Sequence, residues 1–340
     1  MAHAPDPSPV IDLIIRFRQS RAMFAAVEFG IFDLLDEGPQ TLESLAQKTG
    51  TRPEPLQRLL DACCGLELLQ RDGSAYSNTS TAAAYLRRQS PVTLSGYVLY
   101  SNRVLFQMWA NLEDALRDGA NRWSQTFGMD GPIFSQFFRT PEAMATFLSG
   151  MHGFGLISSP PVVRLFNLNR FRHLVDLGGA TGHLAICACE RYGNLRATVF
   201  DLPAAVEHAR PYIAASPARD RVTVQSGDFF SDALPPADLY AFSRVLHDWS
   251  EDKVRALLKK VYEALPPGGG LLILEAILDP DRSGPDWALM QSLNMLICTE
   301  GRERTEAEYR ELLTGCGFTD VEIRRTGGPH DGILALKPAT

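Results

Sequence analysis

The residues best suited to bind a nucleotide lie between Leu174 and Asp201, where an apolar run ends in Asp176 and a glycine-rich turn follows. The turn has the pattern Asp176-x-Gly178-x-x-x-Gly182, and a second apolar run ends in Asp201. A strand, a glycine turn, a helix and a strand in this order form the nucleotide-binding unit of parallel sheets. The glycines let the backbone approach a ligand, and Asp201 can accept hydrogen bonds from ribose hydroxyls. We therefore expect an adenosine-containing cofactor here.

The glycine turn departs from the G-x-G-x-x-G fingerprint of nicotinamide-dependent oxidoreductases. Gly178 is followed by Ala180 at the second glycine position and by His183 at the third, where histidine is a poor substitute. After the next predicted strand, Asp228 could accept a hydrogen bond from the exocyclic amine of adenine, and Phe229 could pack on its ring. Phe229 or the phenylalanine after it could instead be core. The pattern favours an adenosine cofactor without a second phosphate-binding turn, with nicotinamide-dependent oxidoreduction as the alternative.

His247 is the histidine best placed to transfer a proton. It follows the fourth predicted strand, at the carboxyl edge where α/β sheets bind ligands. A neutral imidazole, with a pKa of about 6.5, can assist the departure of a phenolic proton. The same position would suit a cap for the helix that begins near Ser250. Both interpretations stay open on position alone.

Composition narrows the classes of partner. With 45% hydrophobic and 21% charged residues, the 340-residue chain has the make-up of an ordinary globular protein. A net charge of −7 predicts no large basic surface for nucleic acid or membrane lipid. The start, MAHAPDPSPV, lacks signal-peptide features, and six cysteines in apolar patterns favour a reducing cytoplasm. Neither the cysteines nor the histidines have metal-site spacing, so we expect a cytoplasmic protein without a metal.

Residues 1–95 predict a helical, winged-helix-like dimerisation domain. An amphipathic helix over 10–36 precedes short helices that begin at Thr41 and Pro53, and Asp72-Gly73 predicts a hairpin. Winged helices often bind DNA. The Pro53 helix, however, balances its arginines with acidic residues, so dimerisation is favoured and DNA binding is the alternative.

Residues 96–168 predict a helical linker region that is rich in aromatic side chains, most of them core and a minority lining a pocket. Gly150, Gly153 and Gly155 predict a loosened end to this region. From 169 to 340 the pattern alternates between strands and helices, which predicts an α/β, doubly wound, mostly parallel sheet with a final antiparallel hairpin. The predicted strands are 173–177, 196–200, 221–225, 237–242, 270–278, 319–325 and 332–337. The predicted helices are 182–192, 203–213, 251–264 and 305–316.

A series of motifs gives these elements a family resemblance. In order, they are VDLGGATG, VFDLP, GDFF, RVLHDW, PPGGGLLILEAIL and EGRERT, with FAAVEFGIFDLL near the start. The series resembles the S-adenosylmethionine-dependent O-methyltransferases of the caffeic acid and acetylserotonin type. SLNMLICTEGRERT and TFG at 126–128 are most similar to the acetylserotonin branch. The resemblance implies a Rossmann-like class I methyltransferase, a homodimer joined through its N-terminal domain, and conversion of S-adenosylmethionine to S-adenosylhomocysteine.

The resemblance also assigns catalytic and cofactor residues. It implies that His247 is the general base and that Glu275 and Glu303 are carboxylates that orient its imidazole. Arg244 looks like the family's cofactor-contacting basic residue. The family usually has glycine where Ala180 stands, and a methyl group there could tighten the turn.

On the acceptor side, the resemblance implies that Asn294 and Cys298 face the substrate, with Phe147 and Met151 as apolar walls. Asp248 could contact substrate or cap the next helix. Cys298 stands where the acetylserotonin branch typically carries glutamine, so a smaller phenol or a microbial natural product fits as well as acetylserotonin. A member of the family that binds the cofactor but has lost methyl transfer is the further alternative.

Overall fold

The computed structural model describes residues 5–340. The chain divides into two compact units, Met1–Phe106 and Gln107–Thr340. The sequence predicted a helical linker region over 96–168 between two domains, and that three-part functional division stays a prediction.

The first unit is mainly helical. Its helices are α1 (Ser8–Glu28), α2 (Ile31–Leu34), α3 (Leu42–Thr49), α4 (Pro53–Gly65), α5 (Ser80–Tyr85) and α6 (Ser95–Tyr100). The strands β1 (Gln40–Thr41), β2 (Leu69–Asp72) and β3 (Ala75–Asn78) form an antiparallel sheet in the order β1-β3-β2. The predicted 10–36 helix is broken at Gly30, which adopts a φ of 70°. The hairpin lies where it was predicted, while the winged-helix interpretation stays a prediction.

Helix α1 exposes an apolar face. The six large apolar side chains on it are between 39% and 64% exposed: Val10, Ile11, Leu13, Ile14, Ile15 and Phe17. Only Ala26 and Val27, near its end, are buried. A continuous exposed apolar surface of this kind is typical of a binding interface.

The second unit begins within α7 (Phe106–Trp109) and is built around a seven-stranded sheet. Its other helices are α8 (Leu112–Asp118), α9 (Trp123–Phe127), α10 (Ile133–Phe137), α11 (Pro141–Leu165), α12 (His183–Arg191), α13 (Pro203–Ala215), α14 (Glu251–Ala264), α15 (Asp286–Cys298) and α16 (Glu306–Gly315). Its strands are β4 (His173–Leu177), β5 (Arg196–Asp201), β6 (Val222–Ser226), β7 (Leu239–Ser243), β8 (Gly270–Glu275), β9 (Ile277–Leu278), β10 (Arg304–Thr305), β11 (Thr319–Arg324) and β12 (Asp331–Leu336).

The sheet has the strand order β11-β12-β8-β7-β4-β5-β6. Strands β4 to β8 are parallel, and β12 and β11 close one side antiparallel. Every residue of β7 and β8 is buried, as expected for central strands covered on both faces. The predicted fold class is therefore confirmed. The chain order reverses between β4 and β7, so the ligand crevice is expected at their carboxyl ends.

One further expectation about helices was wrong, and one helix was missed. The glycines at 150, 153 and 155 do not loosen the chain, because α11 continues through them to Leu165. Helix α15 was not predicted at all, since its sequence DWALMQSLNMLIC is apolar on most sides and gives no clear stripe. Among the described residues, no helix combines the length and apolar character needed to cross a membrane.

Candidate active site

The glycine turn after β4 runs through left-handed conformations. Gly178 has a φ of 68°, Ala180 of 47° and Gly182 of 78°. The Asp201 carboxylate fastens the turn, since its Oδ2 accepts a hydrogen bond from the Ala180 amide at 2.7 Å and its Oδ1 accepts from Leu202 at 2.7 Å. Ala180 therefore adopts a left-handed conformation, which costs a residue with a Cβ atom about 1 kcal/mol.

The walls of the turn fit a small cofactor that carries hydrogen-bond donors. Asp176 is completely buried, and neither of its carboxylate oxygens has a hydrogen-bond partner of ordinary geometry among the described residues. Burial raises the pKa of Asp176 to about 7. At Gly178, a Cβ atom would lie 3.0 Å from Val245 and 3.3 Å from Phe229. A buried carboxylate without a donor is expected to find one in a ligand.

The segment after β6 places the predicted adenine-side residues next to this turn. Asp228 accepts a hydrogen bond from the Phe230 amide at 2.8 Å, so one carboxylate oxygen has a structural role. Lys260 donates to the carbonyls of Phe229 and Phe230 at 2.8 and 3.0 Å and holds the segment in place. Trp249, which sequence reasoning missed, packs edge-to-face on Phe230 with ring centres 4.7 Å apart, and its buried indole N–H has no partner in the described part of the chain.

Two histidines, one on α11 and one at the start of α12, connect α11 with the glycine turn and the helix that follows it. His152 Nδ1 lies 2.8 Å from the Thr181 hydroxyl. His183, the first residue of α12, lies 2.9 Å from the Ser159 hydroxyl through its Nδ1. Its ring occupies the space beside Gly155, where a Cβ would lie 2.3 Å from the imidazole. His183, which stands at the third glycine position of the fingerprint, therefore packs against α11. The close approach at this point is made possible by Gly155 of α11.

His247 lies between two buried carboxylates. Its Nδ1 is 2.6 Å from Glu303 Oε1 and 3.2 Å from Glu275 Oε2. Glu275 ends β8 beside β7, and Glu303 immediately precedes β10, which pairs with β9. The imidazole is 3% exposed and both glutamates are fully buried. The structure thus brings together the three residues that the resemblance assigned to catalysis.

The contacts of His247 favour one tautomer. A proton on Nδ1 can be donated to Glu303, which leaves the lone pair of Nε2 free to accept a proton. The nearest carboxylate to Nε2 is Asp248, at 3.7 Å, which is too long for a hydrogen bond. Burial raises the pKa of Asp248 to about 7, that of Glu275 to about 6, and that of Glu303 well above its ordinary value. Glu275 Oε1 also accepts from the Val245 and Leu246 amides, at 3.0 and 2.9 Å.

Arg244 has a strained backbone and a half-buried side chain. Its φ is 59°, and its guanidinium lies 2.8 Å from Met151 Sδ and 5.1 Å from the centre of the Phe154 ring. Its Nη1 is buried without a partner among the described residues. His330, 2% exposed, lies edge-to-face on Phe154 at 5.4 Å and also joins this cluster. Sequence reasoning placed His330 only in the last loop, although that loop leads into β12 and β12 pairs with the strand that ends at Glu275.

The predicted acceptor residues are held by aromatic neighbours. Asn294 Oδ1 accepts a hydrogen bond from Trp109 at 2.9 Å, and the Cys298 thiol lies 3.7 Å from the same oxygen. Cys298 is 1% exposed, and burial raises the pKa of its thiol. Phe147 packs on Phe137 with ring centres 4.6 Å apart. The carbonyl side of Asn294 is therefore engaged, and its N–H groups are the part suited to a ligand.

Comparison with known proteins gives consistent results. A model of an O-methyltransferase domain matches residues 109–319, and a model of an O-methyltransferase dimerisation domain matches residues 11–88. Acetylserotonin O-methyltransferase from Bos taurus is 43% identical over 328 residues, which cover 94% of this chain and 95% of that protein. The enzyme from Gallus gallus is 41% identical over 94% of both chains.

Solved structures show the same similarity. A crystal structure of human N-acetylserotonin methyltransferase in complex with SAM superposes with a TM-score of 0.94 at 36% identity, and covers 99% of each chain. A mitomycin 7-O-methyltransferase superposes with a TM-score of 0.85 at 26% identity, and covers 97% of each chain.

Proposed function

The chain belongs to the S-adenosylmethionine-dependent O-methyltransferases of the acetylserotonin type, as its motifs predicted, and we propose that it methylates an aromatic hydroxyl with His247 as general base. The acceptor is a small molecule such as a phenol or a hydroxyindole. The observation that carries this proposal is the 2.6 Å contact between His247 Nδ1 and Glu303, which leaves Nε2 as the basic nitrogen.

The residues of the glycine turn would hold the cofactor, whose sulfonium supplies an activated methyl group. Asp176 would accept hydrogen bonds from donors of the cofactor, and Gly178 and Gly182 would let the cofactor approach the backbone. Asp201 would accept hydrogen bonds from the ribose hydroxyls. Asp228 and Phe229 would bind the adenine. Arg244, whose Nη1 has no partner among the described residues, would contact the carboxylate of the cofactor.

His247 would take the acceptor's proton as the oxygen attacks. A phenol with a pKa of about 10 loses its proton more readily when a neutral imidazole receives it. The imidazolium that forms is stabilised by Glu303 and Glu275, both within 3.2 Å of Nδ1. Asp248 lies on the Nε2 side, where it can contact the acceptor.

The acceptor pocket would be formed by Asn294, Cys298, Phe147 and Met151. The Asn294 N–H groups favour an acceptor molecule that carries a carbonyl or similar oxygen. Cys298 is small and buried, which favours a compact or weakly polar ring system over one that needs a glutamine. A hydroxyindole is the leading class, and a microbial natural product is the alternative.

A methyl-transfer assay with His247→Ala tests this mechanism. The wild-type chain is incubated with S-adenosylmethionine and a panel of phenols, hydroxyindoles and hydroxyquinolines, and products are detected by their mass shift. Loss of the base should lower the rate about 10²–10⁴-fold. His208→Ala, on helix α13, is the matched control and should keep its rate.

An unchanged rate in His247→Ala would remove this residue from the mechanism. A wild-type chain that binds S-adenosylhomocysteine but methylates nothing in the panel would support the alternative of a family member that has lost methyl transfer.

We also propose that the chain is a homodimer joined through its first unit. The support is the dimerisation-domain match and the exposed apolar face of α1. Sedimentation should give twice the 37.5 kDa of one chain, and Ile14→Glu combined with Phe17→Glu should shift the protein to monomer. A double variant that stays dimeric would place the interface elsewhere.

A further inference from the structure

The last residue of α7, Trp109, fixes the orientation of the Asn294 side-chain amide. Its indole Nε1 donates a hydrogen bond to Asn294 Oδ1 at 2.9 Å. An indole N–H can only donate, so turning the amide round would set its N–H groups against another donor. The oxygen of Asn294 is therefore held on the side of Trp109.

A second donor faces the same oxygen. Cys298, one turn later on α15, has its Sγ 3.7 Å from Asn294 Oδ1. A thiol is a weak donor, and burial raises the pKa of this one, so it keeps its proton. Both donors converge on the oxygen, while Asn294 Nδ2 has no hydrogen-bond partner among residues 5–340. The donor end of the amide is the end that a ligand can use.

Helix α15, which carries this amide, is held at its end by other bonds. The completely buried Trp123 donates from its Nε1 to the Cys298 carbonyl at 2.8 Å. The Arg122 amide donates to the Ile297 carbonyl at 2.9 Å. Removal of the Trp109 N–H would therefore release the amide and leave the helix in place.

The same helix is fastened to the catalytic cluster. The Ser292 hydroxyl accepts a hydrogen bond from the Glu303 amide at 3.3 Å, and Glu303 Oε1 lies 2.6 Å from His247 Nδ1. Asn294 follows Ser292 by two residues and is half-buried, so a ligand can reach it. A group bound by Asn294 is thus placed relative to His247 by one continuous segment.

We propose that Trp109 is a positioning residue that sets acceptor specificity: it holds Asn294 as a donor and so selects acceptors whose side arm ends in a carbonyl oxygen. This inference deepens the proposed function, since it rests on Asn294 facing the acceptor. An arm that ends in an ammonium group would set donors against donors. A buried donor without a partner costs more than a hydrogen bond gains, so the selection acts mainly by rejection.

Calorimetric titration of the full chain loaded with S-adenosylhomocysteine tests this proposal. The probes are two hydroxyindoles with the same ring and arms of matched length, one ending in a methyl ester that only accepts and one in an ammonium group that only donates. The wild-type chain should bind the ester about tenfold more tightly. Trp109→Phe frees the amide to turn, and its ratio should fall to within about threefold.

Two further variants separate the role of the indole N–H from packing. Trp287→Phe, on the same helix as Asn294, is the matched control and should keep the wild-type ratio. Asn294→Asp still accepts from Trp109 with one oxygen and offers the other to the ligand, so the preference should reverse in favour of the ammonium arm. Asp248 is present in every variant, so a changed ratio reports on residue 294.

A folded Trp109→Phe variant that keeps the tenfold ratio would show that Trp109 only packs, and the proposal would be wrong. If this variant fails to fold, Asn294→Asp decides, and a retained preference for the ester contradicts the proposal. A wild-type chain that binds both probes equally, or neither, also overturns it.

Binding is measured here apart from catalysis, because S-adenosylhomocysteine has no methyl group to transfer. A chain with the expected ratios that methylates neither probe when given S-adenosylmethionine would count against the proposed function and not against the role of Trp109. A chain that methylates both probes but binds them equally would do the reverse.

Discussion

The contact between α11 and the cofactor turn depends on the absence of one methyl group. At Gly155, a Cβ atom would lie 2.3 to 2.4 Å from three atoms of the His183 ring. Favourable carbon contacts lie at about 3.5–4.0 Å, so the overlap exceeds 1 Å. The ring cannot turn away freely, because it is buried and His183 Nδ1 lies 2.9 Å from the Ser159 hydroxyl. Gly155→Ala should therefore push α11 and α12 apart.

The magnitude follows from two opposing effects. Overpacking a core costs about 1–3 kcal/mol, and an overlap above 1 Å belongs at the upper end. Alanine gains about 1 kcal/mol over glycine inside a helix. The expected net loss for Gly155→Ala is about 2 kcal/mol. For a unit of this size that lowers the unfolding midpoint by roughly 4–8 °C.

A double-mutant cycle with His183→Ala isolates the contact. His183→Ala removes the ring, so alanine at 155 no longer meets an obstacle and should stabilise that background by about 1 kcal/mol. Thermal unfolding of the four proteins gives the coupling energy, expected at about 3 kcal/mol. Calorimetric titration with S-adenosylhomocysteine should show weaker binding for Gly155→Ala, because His183 begins the helix that follows the cofactor turn.

If Gly155→Ala raised the unfolding midpoint of the otherwise wild-type chain, this reasoning would be refuted. Additive effects of the two substitutions would do the same, since they would show that residue 155 and His183 do not press on each other.

Two further predictions concern the turn itself. Ala180→Gly should leave stability within about 1 kcal/mol of wild type or raise it, because relief of the left-handed conformation offsets the added freedom of the unfolded chain, and denaturant unfolding measures this. Asp176→Asn should stabilise the cofactor-free chain at pH 8 by about 2–4 kcal/mol, since burial raises the pKa of Asp176 to about 7. A raised pKa means stability that is present at low pH and lost as pH rises, so the advantage of the variant should shrink towards pH 4. A difference that does not change between pH 4 and 8 would contradict the assignment, and S-adenosylhomocysteine should bind this variant more weakly.

Much of the second unit could be predicted from the sequence. Strand β8 is a continuous apolar run bounded by Gly270 and Glu275, and the turn at Gly178 has a fixed spacing. The motif resemblance carried the catalytic residues, because Glu303 and His247 are far apart in the chain. Nothing in periodicity brings them together. That contact needs the short pairing of β10 with β9, and two-residue strands leave no pattern.

The parts that were missed depend on packing between distant segments. Trp249 has no local pattern that marks it, and His330 looks like a loop residue when read locally; only the tertiary fold shows them buried at the site. The glycines of α11 indicated a loosened chain, since glycine alone does not distinguish freedom from close approach. The partner of Gly155 is His183, and this pairing is visible only in three dimensions.

Glu275 and Glu303 differ in how much of the local fold depends on them. Oε1 holds the Val245 and Leu246 amides, while Oε2 lies beside His247. The Glu303 carboxylate, in contrast, contacts His247 through Oε1, and its Oε2 has no partner among the described residues. In a lineage released from selection for methylation, the need to fold would still retain Glu275, whereas Glu303 could drift. The residue at 303 is therefore the better molecular record of whether a descendant still catalyses.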